Sequence, residues 1–262
     1  DAVAAVVAAR PGVNRNYERE NADSLGVVVT GPSAARVERT IASLEADTGL
    51  TALRLPMLQP YRIDLAFDLS SELTTGPQHA AQAATCGGCR AQLADADWPL
   101  AALAEAGLPL VAQPYAQWAQ ALGTTAAQVQ ATLQQWLHTG VLSRFGVVVR
   151  HHELGFDANA MTVLDVPDDE VDAAGRARAA QPGVTLAYRR ARAPGWRYNL
   201  YCMVHGAHRQ AVEQVVASAL ERSGLAHQPH AVLFSRRRFK QTGGRRFAAA
   251  APIAQGVAHA LP

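Results

Sequence analysis

PGVNRNYERE (Pro11–Glu20) and PGVTLAYRRA (Pro182–Ala191) are two copies of one segment, and the chain continues alike after each. LGVVVTG (Leu25–Gly31) corresponds to LYCMVHG (Leu200–Gly206), and VERTIASLEADTGL (Val37–Leu50) to VEQVVASALERSGL (Val212–Leu225). Both helical runs close on a glycine, Gly49 or Gly224, the residue suited to a left-handed C-terminal cap. Each copy then enters an extended segment, LRLPMLQPYRIDLAF (Leu53–Phe67) or HAVLFSRRRF (His230–Phe239). Each repeat therefore reads helix, strand, strand, helix, strand. The second copy adds leading strands at Phe145–Val149 and Ala158–Val166. The pattern predicts the α+β class, with two ferredoxin-like β-α-β-β-α-β sandwiches whose sheets lie side by side about a pseudo-twofold axis.

Between the repeats, a linker over 70–95 rich in Gly, Ala, Gln and Thr leads into three short helical patterns, Leu100–Ala106, Tyr115–Leu122 and Ala126–His138. Thr125 and Gln128 form the capping box of the third. Gly140 and RFGVVV follow, as in a winged helix-turn-helix. The expected organisation is a first sandwich at 1–69, the linker, the winged helix at 96–143, a second sandwich at 144–247 and a tail at 248–262. The third helix, AAQVQATLQQWLH, contains no Arg or Lys. Phosphate contacts supply most DNA affinity, so this module is expected to serve structure and not duplex binding.

Net charge is +2, but its distribution is uneven. Residues 91–143 hold three acids and no Arg or Lys, whereas 144–262 hold 16 basic residues against nine acids. That surplus suits an anionic ligand. With 49% apolar residues the chain can bury a core unaided. Its three Cys are too few for a disulfide framework, and a reducing cytoplasm is the expected compartment. Cys86 and Cys89 have the spacing of half a zinc site, yet only His79 lies near them, so no metal site is expected. No run reaches the roughly 18 apolar residues of a membrane span. The chain opens without Met, inside an amphipathic helical pattern.

Chemistry-bearing residues gather at the strand ends of the second repeat. Arg150-His151-His152-Glu153 follows one strand, and adjacent histidines there point to opposite sides, so one faces a given cavity. That imidazole is a candidate proton donor or iron ligand. Tyr188-Arg189-Arg190 with Arg192 ends a second strand, and His205 and His208 end its neighbour. Arg236, Arg237, Arg238 and Lys240 close the last. Guanidinium forks grip carboxylates bidentately, which makes a polycarboxylate a candidate ligand. Asn159 and Met161 add an amide and a soft apolar contact.

At FGVVVRHHELGF, ANAM, YRR, YNLYCMVHG and AVLFSRRRFKQ, and at VNRNYERE and RIDLAFDL in the first repeat, the chain resembles the siroheme decarboxylases, Lrp/AsnC-like proteins of haem d1 and alternative haem biosynthesis. It looks like two family subunits fused, the first without its winged helix and leading strand. At Arg62 the family often has His. The resemblance implies removal of carbon dioxide from two acetates of siroheme, giving 12,18-didecarboxysiroheme, with no cofactor beyond the substrate's iron. It implies proton delivery by His151 or His152 and substrate contacts from Tyr188, Asn159 and Met161. Carboxylates would be positioned by Arg150, Arg189, Arg190 and Lys240, and His205 would ligate iron or act as a second acid. A second copy or a second decarboxylase subunit is the expected partner, with neither nucleic acid nor membrane. Two other readings share the fold: an Lrp/AsnC-type transcription regulator, which requires a basic recognition helix, and a non-catalytic tetrapyrrole-binding subunit.

Overall fold

The computed structural model describes residues 2–21, 25–63, 93–142, 145, 155 and 157–247. The first repeat forms α1 (Ala2–Ala9), β1 (Val13–Arg19), β2 (Leu25–Val29), α2 (Ala34–Thr48) and β3 (Met57–Ile63). Ser33 caps α2 by accepting from the Arg36 N–H, and Gly49 ends it at φ 67°, donating to Glu45 O. Gly49 thus takes the left-handed conformation its position suggests, which β-carbon-bearing residues adopt at a cost.

Three helices follow, α3 (Trp98–Ala106), α4 (Pro114–Leu122) and α5 (Ala126–Thr139), packed around Leu100, Trp118, Val129, Leu133 and Trp136. The expected capping box at Thr125 and Gln128 forms. The Glu105 carboxylate of α3 accepts from the Arg246 and Phe247 backbone N–H groups, and Phe247 packs on Trp98 with ring centroids 5.8 Å apart. The expected strand residues 146–149, most of the linker with Cys86 and Cys89, and the tail lie outside the described residues. Among the described residues, no helix is long and apolar enough to cross a membrane.

The second repeat forms β4 (Ala158–Leu164), α6 (Val171–Ala179), β5 (Val184–Arg190), β6 (Leu200–Gly206), α7 (Arg209–Arg222) and β7 (His230–Gln241). Its strands order as β7-β4-β6-β5, the ferredoxin-like arrangement. Leu164, Val184, Leu200, Val204 and Phe234 on one face bury against Val171 of α6 and Val212, Val216 and Leu220 of α7. Full burial of a Val or Leu side chain contributes roughly 1.5–3 kcal/mol, so this face anchors the molecule.

The repeats do not build two sheets side by side. They share one antiparallel sheet of seven strands, ordered β2-β1-β7-β4-β6-β5-β3. The reason is strand length: β7 has 12 residues, and β4 pairs with 230–234 only. The rest of β7 presents unpaired backbone groups, which β1 takes up between Ser235 and Gln241. β3 leaves its own repeat in the same way and pairs with β5. A pseudo-twofold relation therefore survives in the register. Met57 faces Arg190 as Ser235 faces Arg19, Pro60 faces Tyr188 as Arg238 faces Tyr17, and Arg62 faces Ala187 as Lys240 faces Asn16. The register shifts fall at matching places in both pairs. β3 also closes on α6, where a side chain at Gly175 would collide with the Tyr61 ring.

Candidate functional site

Strand alternation gives the sheet two faces. Opposite the helices lie Val163, Leu186, Tyr188, Tyr201, Met203 and Leu233, with Trp196 from the β5–β6 connection and Met161 beside them. Asn159, two residues before Met161, and His205, two after Met203, continue this face and stand directly across from one another between β4 and β6. Both are buried.

His205 Nδ1 lies 3.0 Å from Thr185 Oγ1, and that hydroxyl donates to Met203 O at 3.2 Å. A hydroxyl carries one proton. A hydroxyl proton on Met203 O would leave Thr185 accepting from Nδ1–H, with the ring's lone pair on Nε2. This is the tautomer that ligates iron or takes up a proton through Nε2. Across the sheet, Ser235 Oγ donates to Asn159 Oδ1 at 2.6 Å, while Arg19 Nη1 donates to Ser235 Oγ at 3.1 Å and Leu233 O at 3.4 Å. Polar groups therefore run from β1 of the first repeat through Ser235 and Asn159 to His205.

Next to this line, Tyr188 and Tyr201 stack with ring centroids 5.6 Å apart and planes at 12°. The Arg190 guanidinium covers both, 4.9 Å and 5.6 Å from their centroids. Trp196 Nε1 donates to Tyr201 OH at 2.7 Å, and burial above all raises the Tyr201 phenol to about 12. Tyr201 is accordingly a neutral donor at ordinary pH. Burial likewise lowers the pKa of Arg19, against the opposing influence of Tyr188 and Tyr17.

Alternation divides the expected substrate ligands. Arg190, Tyr188, Met161, Asn159 and His205 share the face opposite the helices. Arg189 points to the helix side, where it meets Asp168 at 3.6 Å and Asp172 at 3.5 Å. Lys240 also turns to that side, with Nζ donating to Ala8 O at 2.7 Å and Arg10 O at 2.9 Å. Arg62 donates to Ala179 O at 3.1 Å. Arg150, His151 and His152 lie outside the described residues. Thr185, Ser235 and Arg19 join the site without having stood out in the sequence. The repeat offered one signal, because Arg19 is the counterpart of Arg190. Among the described residues no group of three or more His, Cys, Asp or Glu side chains is placed to hold a metal ion.

Two family models match the chain: the siroheme decarboxylase NirDL-like HTH domain over residues 100–142, and the AsnC-like ligand binding domain over 153–240. The siroheme decarboxylase NirDL subunit of Paracoccus pantotrophus is 40% identical over 245 residues, covering 93% of this chain and 73% of that one. The crystal structure of the siroheme decarboxylase NirDL superposes with a TM-score of 0.60 at 25% identity, covering 95% of this chain and 71% of the other. A second crystal structure, of NirDL in co-complex with an iron-uroporphyrin III analogue, gives 0.59 at 25% identity, covering 95% and 70%. With this extent of identity over a shared architecture, the chain belongs to the siroheme decarboxylase NirDL family.

Proposed function

We infer that the protein is a carboxy-lyase of the cytoplasm that removes carbon dioxide from two acetate side chains of siroheme, giving 12,18-didecarboxysiroheme. One observation carries the reading. In a chain 40% identical to a siroheme decarboxylase subunit, a buried imidazole in hydrogen-bond contact with Thr185 shares a sheet face with stacked tyrosines and an arginine. Aromatic rings and Arg suit a flat, polyanionic macrocycle. In each decarboxylation the bond between the acetate methylene and its carboxylate breaks, the electron pair enters the macrocycle, and a proton from an imidazolium closes the new methyl group. His151 or His152 is assigned the proton, and His205 the iron or a second acid role. The macrocycle is the electron sink, so no cofactor is needed beyond the substrate's iron. The reading includes a second copy of the chain or a second decarboxylase subunit as partner.

The test is anaerobic incubation of the chain with siroheme, followed by mass spectrometry of the tetrapyrrole. Two successive losses of about 44 mass units, one carbon dioxide each, are expected. Unchanged siroheme bound in stoichiometric amount would instead identify a non-catalytic carrier.

A further inference from the structure

Arg189, Arg192, Arg236 and Arg237 each meet a carboxylate, whereas among the described residues a group at the β1–β7 junction does not. On β1, Arg15, Tyr17 and Arg19 alternate onto one side, and Arg238 of β7 stands directly opposite Tyr17. Burial raises the pKa of the Tyr17 phenol, and the nearby charges of Arg15, Arg238 and Arg19 partly offset it. Among the described residues none of these three guanidinium groups has a carboxylate partner; Arg238 reaches the Gln241 side chain, and Arg19 reaches Ser235 and Leu233 O. Neighbouring arginines on the other side are neutralised, Arg237 by Glu18 at 3.3 Å and Arg236 by Glu20 at 3.6 Å.

The pseudo-twofold relation separates architecture from ligand binding. Arg19 and Arg190 correspond, and each donates to the matching carbonyl across the junction, Leu233 O or Leu55 O. Arg15 corresponds to Leu186 and Arg238 to Pro60, so the fold is built in the other half without cations at either place. Arg15 and Arg238 are diagonal neighbours across the β1–β7 pair, beside the same Tyr17 ring, and like charges this near repel one another. An anion bound between them removes that penalty, and a carboxylate matches the guanidinium fork.

We propose that Arg15 of β1 and Arg238 of β7, both beside Tyr17, form a carboxylate grip at the junction of the two repeats that holds the side chains of a polycarboxylate ligand. The inference rests on the proposed function for its natural ligand, a tetrapyrrole octacarboxylate. Through Arg19, Ser235 and Asn159 the grip joins the face that carries His205, so the ligand is anchored by the first repeat and presented to the second.

The full chain and an Arg15→Gln/Arg238→Gln variant are titrated with iron(III) uroporphyrin by absorbance. In parallel, thermal unfolding of each is followed with benzenehexacarboxylate, a polycarboxylate that is not a tetrapyrrole. The variant is expected to bind iron uroporphyrin about ten-fold more weakly or worse, with a shallower salt dependence, while Arg236→Gln stays within about two-fold of the original chain. Without ligand the double variant melts no lower than the original chain, because a repulsion has been removed. Benzenehexacarboxylate raises the melting temperature of the original chain and leaves the variant unmoved. If it does so while iron uroporphyrin fails to bind the original chain, the grip stands and the siroheme reading falls. An equal rise in both proteins, or no rise in the original chain, overturns the grip.

Discussion

Lys240 and Arg62 occupy the same place in the two halves and do the same work. Lys240, opposite Asn16 on β1, donates to Ala8 O near the end of α1; Arg62, opposite Ala187 on β5, donates to Ala179 O at the end of α6. A cation at a helix C-terminus satisfies carbonyls that have no partner inside the helix and complements the negative end of the helix dipole. Both residues therefore fasten an exchanged strand to the helix beneath it.

Lys240→Met is accordingly expected to destabilise the chain by about 1–2 kcal/mol, and Lys240→Arg by less. Chemical denaturation checks this. Tetrapyrrole affinity in the folded Lys240→Met protein should remain close to that of the original chain. A large loss of affinity with unchanged stability would restore Lys240 to the ligand.

Thr185 meets Nδ1 of His205 at 3.0 Å and so orients the ring, and its removal should register in chemistry more than in binding. Thr185→Val keeps the side-chain volume and deletes the group that meets Nδ1. Loss of such an orienting partner typically costs about 10–100-fold in activity or metal affinity. Single-turnover decarboxylation is expected to slow by about ten-fold or more, and Thr185→Ser to recover most of it. Unaltered rates in Thr185→Val would show that the imidazole is held by something else.

The connection between β5 and β6 should respond to acid. Arg192 hydrogen-bonds both Asp165 and Asp168, and these bonds are the largest cause of their lowered pKa values. A carboxylate whose folded pKa is depressed adds stability above its unfolded value, near about 4, and loses it as pH falls through the lower folded value. Arg192→Gln should thus melt below the original chain at pH 7. The difference is expected to close as melting curves are repeated below roughly pH 4.

Duplex DNA should not bind at physiological salt. The helix in the recognition position, α5, carries no Arg or Lys over Ala126–Thr139. Fluorescence titration with labelled duplex is sufficient, and nanomolar sequence-specific binding would revive the regulator reading.

The repeat made the strands, the helices and their order legible, since alternation and glycine caps are local signals. The alternation that sets adjacent strand residues on opposite faces separates Arg189 from Arg190, and of the two Arg190 reaches the His205 face. What lay beyond local reading was pairing between distant segments. No sequence period announces that β3 leaves β1 and β2 for the opposite end of the sheet, or that Asp168 and Asp172 neutralise Arg189. For the same reason Arg15 did not stand out and Arg238 was not set apart from Arg236 and Arg237, because what distinguishes the pair is that no acid of the described residues meets them in the assembled sheet.

The exchange of strands also sets a timetable for biogenesis. The hydrogen bond from Arg19 to Leu233 O spans 214 residues of sequence. On the ribosome β1 and β2 emerge long before the half of β7 that completes them, and non-local pairing of this kind slows folding. During that interval the nascent hairpin presents an open strand edge, which invites pairing with another chain. Newly made protein is therefore most exposed to misassembly before its last strand is synthesised, and chaperone demand should fall on the first repeat.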